Sequence, residues 1–96
     1  MKNLTEFKGS LNSAQPPGKL SAQLKSLWYD GKGHWHQAHA QVDHLTDQAS
    51  AWVHAYLHRK EGDIWNADYW YAKAQKKRPD LSLNEEWEQL VLQFLD

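Results

Sequence analysis

The chain has six histidines, and all of them fall between residues 34 and 58. Residues three or four positions apart share one face of a helix. His54 and His58 form such a pair, and Glu61 extends their face by three more positions. His36 and His39 form a second pair on the preceding predicted helix. The spacing therefore predicts that imidazoles and a carboxylate gather where these two helices pack together.

Such a gathering can hold Zn²⁺ or another divalent transition metal, although a helical histidine near a carboxylate is more often structural. The chain contains no cysteine, so the ligands have to be imidazole nitrogens and carboxylate oxygens. An alternative is that the histidines are structural and are satisfied by hydrogen bonds inside the core. The candidate ligands are His36, His39, His54, His58 and Glu61.

Known catalytic signatures do not support an enzyme as the first choice. His54 and His58 have the histidine spacing of a zincin helix, but Ala55 stands where the general-base Glu is required. The chain also lacks a nucleophile elbow and a phosphate-binding glycine loop. A metal-dependent or acid–base enzyme that uses the His/Glu cluster is therefore kept only as an alternative.

The length of 96 residues is enough for one domain with a modest core. Residues 1–18 are expected to be a flexible or short-helical lead-in, because Pro16, Pro17 and Gly18 stop any helix. Residues 19–96 form the predicted helical domain. Apolar residues there recur at helical spacing, and no segment alternates as a strand does.

The sequence predicts an all-α fold of about five helices. One hairpin covers 19–47, a second covers 48–79 and ends at Pro79, and a capping helix covers 83–95. Gly33 and Gly62 are expected at the two turns, each followed five residues later by an alanine, at 38 and 67, where the helices approach closely. This repetition indicates stacked antiparallel hairpins.

The second hairpin resembles one unit of the tetratricopeptide repeat. The small, aromatic and turn positions of that family's motif match six residues here: Ala55, Gly62, Ala67, Tyr71, Ala74 and Pro79. The first hairpin departs from the motif, with Val42 and Leu45 at the later positions, and the spacing between the units is 29 residues rather than 34. The resemblance implies a module that binds a protein or peptide.

In such a module the first helix of each pair lines a concave groove. Trp52, Tyr56 and Arg59 share a face of that helix in the second unit, and aromatic residues beside an arginine are common binding anchors. These three residues are the predicted peptide-binding face. An alternative is that Trp52 belongs to the core.

The aromatic residues of the next helix suggest contact with another chain. Tyr69, Trp70 and Tyr71 point in three directions around a helix, so at least one should be exposed. A homodimer is therefore expected as one form of partner, and a structural, oligomerising subunit is the third possible function.

Charge and hydropathy exclude other classes. A net charge of −1 argues against nucleic-acid binding, and the absence of a long apolar run argues against membrane insertion. A cytoplasmic protein is expected. The stretch 51–63, followed by Asn66-Ala67 and Tyr69-Trp70-Tyr71, also resembles an uncharacterised group of small all-helical proteins, which implies no activity. The favoured function is a small binding or interaction module.

Overall fold

The computed structural model describes residues 3–95, and this part of the chain is all α-helix and connecting loops, without a strand. The all-α prediction is confirmed, with six helices rather than about five. The helices are α1 (Leu4–Ser10), α2 (Ala22–Gly31), α3 (Trp35–Val42), α4 (Gln48–Lys60), α5 (Ile64–Lys73) and α6 (Leu83–Phe94).

Two helical hairpins form the centre of the fold. α2 packs most closely with α3, and α4 packs most closely with α5. The turn glycines, Gly33 and Gly62, have φ angles of 84° and 89°, a left-handed conformation that costs glycine little. Ala38 and Ala67 are fully buried. The predicted turns and the predicted close approaches are therefore both present.

Side-chain caps set where the helices begin. The side chains of Ser21, Asp47 and Asp63 accept hydrogen bonds from the third backbone N–H of α2, α4 and α5 respectively. Ser82 and Glu85 form a capping box at the start of α6. Each cap satisfies a backbone donor that the helix itself leaves free.

Helix α5 ends at Lys73, six residues before the predicted end at Pro79. Gln75 adopts a left-handed backbone with φ of 59°, and the N–H of Lys76 donates to the carbonyl of Tyr71 at 2.9 Å. This pair of features is a typical helix C-terminus. The basic residues 76–78 are exposed beyond the helix.

Helix α6 lies across the first helices of both hairpins, because it contacts α2 and α4. The indole N–H of Trp87 donates to the carbonyl of Leu27 at 2.9 Å, and Arg59 of α4 pairs with Glu86 at 2.7 Å. The face that a concave groove would require is therefore covered by α6.

The lead-in contributes to the core. Its helix, α1, contacts α6, and Phe7 is fully buried in the main apolar cluster. The Trp28 indole donates to Ser10 Oγ at 3.2 Å. The segment 1–18 therefore contains a docked helix. No helix of the described residues has the length and apolar character needed to cross a membrane.

Candidate metal site

Three histidines meet where α3 packs on α4. His39 comes from α3, and His54 and His58 come from successive turns of α4. The Nε2 atoms of His39 and His54 are 3.0 Å apart. One ring nitrogen of each histidine lies within 4.8 Å of one ring nitrogen of each of the others. The three imidazoles are therefore close enough to bind the same metal ion.

Two tryptophans hold the imidazoles from either side. The Trp35 ring stacks on His39 with centroids 4.9 Å apart and planes inclined by 13°, and its indole N–H donates to the carbonyl of Leu57 at 2.8 Å. Trp70 of α5 stacks on His54 at 4.0 Å. Both rings restrict the rotation of the histidines and exclude water from their faces.

Burial favours the neutral form of His39 and His54. His54 is 4% exposed and His58 is 7% exposed. Burial lowers the pKa of His54 to about 4, and the nearby His58 and His39 lower it further. Burial, followed by the influence of His58, also lowers the pKa of His39. At neutral pH His39 and His54 are therefore uncharged, and each has a nitrogen lone pair that can bind a metal.

The Nδ1 atoms of the three histidines differ in their hydrogen-bond partners. His58 Nδ1 lies 2.7 Å from Glu61 Oε1, and His39 Nδ1 lies 3.6 Å from Asp43 Oδ2. The Nδ1 of His54 is buried and has no hydrogen-bond partner among the described residues. A buried polar atom without a partner is costly, so its presence marks this group of histidines as unusual.

Not every predicted ligand joins the group. Glu61 contacts it through His58, whereas His36 is exposed and meets only the edge of the Trp35 ring, at 5.3 Å. Three residues correspond to 300° of helical rotation, which is 60° short of a full turn. His36 is therefore offset from the direction of His39, and this offset leaves it exposed at the edge of the face that packs on α4.

The predicted peptide-binding face is partly covered, with Tyr56 buried and Trp52 and Arg59 half-buried. Tyr56 is 2% exposed and donates to Asp30 at 2.6 Å, and Arg59 binds Glu86 on α6. Trp52 is half-buried, touches Phe94, and lies under the Lys76 ammonium, 4.3 Å from the ring centroid. The open groove predicted here is not present, because α6 fills it.

Sequence reasoning missed the buried acids that organise this side of α4. Glu86 is completely buried and accepts hydrogen bonds from Arg59 at 2.7 Å and from Tyr71 at 2.5 Å. The sequence position of Glu86 could have predicted its burial. It lies three residues after Leu83 and four before Leu90, within the apolar stripe of α6.

The expectation of exposed aromatic residues on α5 is confirmed. Trp65 is 81% exposed and Tyr69 is 48% exposed. Their rings are nearly parallel, with centroids 6.4 Å apart. They lie on the helix that also supplies Trp70 to the histidine group.

Comparison with protein-family models, curated proteins and solved structures found no match to this chain. Its function has to be inferred from its own residues, and the histidine group is the most distinctive of them.

Proposed function

We propose that this protein binds a divalent transition metal, with Zn²⁺ the best suited, through His39, His54 and His58. The observation that supports this most strongly is the convergence of three ring nitrogens, one from each histidine, within 4.8 Å of one another. Imidazole is a preferred ligand of zinc, copper and nickel.

The spacing of the nitrogens is close to what a tetrahedral ion needs. With Zn–N bonds of about 2.0–2.1 Å, two nitrogens of a tetrahedral site lie about 3.3 Å apart. The Nε2 atoms of His39 and His54 are separated by 3.0 Å, so small side-chain adjustments suffice for these two ligands. The third nitrogen, from His58, lies within 4.8 Å of one nitrogen of each of the other two histidines.

The surroundings supply what a zinc site uses beyond its ligands. A carboxylate that accepts from the second ring nitrogen orients the imidazole and raises its basicity. Glu61 is placed to do this for His58, at 2.7 Å, and Asp43 is placed on the corresponding side of His39. The low pKa values of His54 and His39 mean that few protons have to leave when the metal binds.

Three protein ligands leave a tetrahedral ion with one further position for water or another small ligand. The proposal concerns binding and assigns no reaction. It replaces the peptide-binding module as the favoured function, because the groove required by that module is filled by α6.

The test is a titration of chelator-treated protein with Zn²⁺, followed by competition with a chromophoric chelator. We expect one ion per chain and stabilisation that rises with free zinc, by about 2.7 kcal/mol at a hundredfold excess over Kd. Co²⁺ should bind in the same place and report tetrahedral coordination through its visible absorption.

His39→Gln tests the site with the least disturbance, because this histidine is the most exposed of the three. It should weaken zinc binding at least tenfold. His36→Gln is the matched control, since it removes an exposed histidine of the same helix, and it should leave the affinity unchanged. Failure to bind stoichiometric zinc, or equal losses in the two variants, would overturn the proposal.

A further inference from the structure

We propose that a cavity on the other side of α4 binds a small carboxylate that carries an apolar group. The cavity has a volume of about 400 Å³ and lies between α1, α2, α4 and α6. Tyr56 and Lys60 supply its α4 side, roughly half a helical turn away from His54 and His58. It is therefore separate from the histidine group.

The polar side of the cavity combines a buried carboxylate with an ammonium group that has further donors to offer. Asp30 is 3% exposed, and its two oxygens accept from Tyr56 at 2.6 Å and from Lys60 at 2.9 Å. An ammonium group has three N–H donors, so Lys60 retains two after bonding to Asp30. Unused donors on a cation favour an anionic ligand.

Two further features of the cavity reinforce this preference. Lys8 brings a second ammonium to the lining and gives one bond to Glu88, on α6. Leu83 and Asn84, the first two residues of α6, also line the cavity. Their backbone N–H groups have no partner within the helix, and the start of a helix carries partial positive charge.

The opposite walls are apolar. Leu11, Leu83 and Trp87 line them, and the indole bond to Leu27 fixes the Trp87 ring. Gly31 also lines the cavity, and a Cβ at this position would meet Leu11 and Trp87 at 3.1 Å. The absence of a side chain at Gly31 therefore lets the Leu11 and Trp87 side chains pack closely at this part of the wall. A volume of about 400 Å³ is at the lower end of the range for small-molecule pockets.

Benzoate is a suitable probe, because it joins one carboxylate to one flat apolar group. Binding is followed by two-dimensional NMR of the full chain, using the indole N–H signal of Trp87. Benzylamine and benzyl alcohol serve as size-matched cationic and neutral probes. A chelator is present throughout, so that no metal at the histidines can bind the carboxylate.

We expect benzoate to shift the Trp87 signal saturably and the other two probes to bind at least tenfold more weakly. Lys60→Gln should weaken benzoate binding about tenfold, as expected for loss of a charged hydrogen bond. Lys77→Gln makes the same charge change at an exposed residue outside the cavity lining and should have no effect.

Asn84→Trp provides a second variant that does not depend on the pair between Lys60 and Asp30. Asn84 is exposed at the cavity lining, so a large ring there should obstruct the cavity without disturbing the core. The proposal is overturned if benzoate gives no saturable shift, if benzylamine binds as well, or if Asn84→Trp and Lys60→Gln both bind benzoate like the original chain.

Discussion

Helix α4 presents histidines towards α3 and α5 and presents a tyrosine and an arginine towards α2 and α6. The two sides differ in how their buried polar atoms are satisfied. Tyr56 and Arg59 each donate to a buried carboxylate, Asp30 and Glu86. On the other side, His54 contacts His39 through one nitrogen and leaves the second without a partner.

The difference separates a structural network from a candidate site. Buried polar groups that hydrogen-bond to one another hold a fold in one arrangement. Removing one member leaves its partners buried without a hydrogen bond, which is costly. Imidazoles held neutral beside one another still have lone pairs to offer. Stability should therefore depend mainly on the acids, and ligand binding mainly on the histidines.

The largest effect on stability is expected from Glu86→Ala. This change leaves the Arg59 guanidinium and the Tyr71 hydroxyl without their buried partner, and should lower the free energy of unfolding by about 3–5 kcal/mol. Urea denaturation measures it. Glu88→Ala is the matched control on the same helix, because it breaks the half-exposed pair with Lys8 and should cost less than about 1 kcal/mol. Equal costs would mean that Glu86 is not buried.

The histidine side of α4 should make the free energy of unfolding depend on pH. The pKa of His54 is about 4 in the folded protein, against 6.5 for an ordinary histidine. Because the unfolded chain then binds the proton more readily, stability is lost as pH falls from about 6.5 to 4, by as much as about 3 kcal/mol.

Denaturation at several pH values, with a chelator present, measures this dependence. His54→Gln should flatten the profile between pH 6.5 and 4, whereas His36→Gln should leave its slope unchanged. A His54→Gln profile as steep as that of the original chain would show that His54 is not held neutral by burial.

A smaller loss of stability is expected from Tyr56→Phe. The change removes the hydroxyl that donates to Asp30 at 2.6 Å while keeping the ring, and should cost about 1–3 kcal/mol. Thermal or urea denaturation provides the measurement. Tyr69→Phe removes the hydroxyl of a half-exposed tyrosine and should change stability very little, so similar losses in both variants would contradict the role given to Asp30.

Glu61→Gln should have the smallest effect on stability, below about 1 kcal/mol, because the Glu61 carboxylate is partly exposed. Its effect on zinc affinity should be larger, about tenfold or more, since it weakens the group that orients His58. Parallel denaturation and zinc titration separate the two effects. A variant that loses stability but keeps its zinc affinity would assign Glu61 to the fold alone.

Local signals in the sequence predicted the helices well. The turns at Gly33 and Gly62 and the close approaches at Ala38 and Ala67 each depend on a few adjacent residues, and all are present. The end of α5 was wrong because the left-handed Gln75 is not a residue type that signals a helix end.

Long-range packing was harder to predict. The pairing of His39 with His54 followed from helix spacing, since both lie on facing turns of adjacent helices. The position of α6 did not follow, because an apolar stripe shows that a helix is covered without showing which helices cover it. The assignment of Tyr56 and Arg59 to an open face failed for this reason.

The docking of α1 has a consequence for the cavity. Phe7 is the one fully buried side chain of that short helix, and terminal segments are among those that open locally at a lower free energy than the whole fold. Lys8 and the nearby Leu11 supply part of the cavity wall, and this part exists only in the docked state. Occupancy of the cavity is therefore thermodynamically linked to the closure of α1. A bound carboxylate should therefore slow hydrogen exchange in α1 more than in the two hairpins.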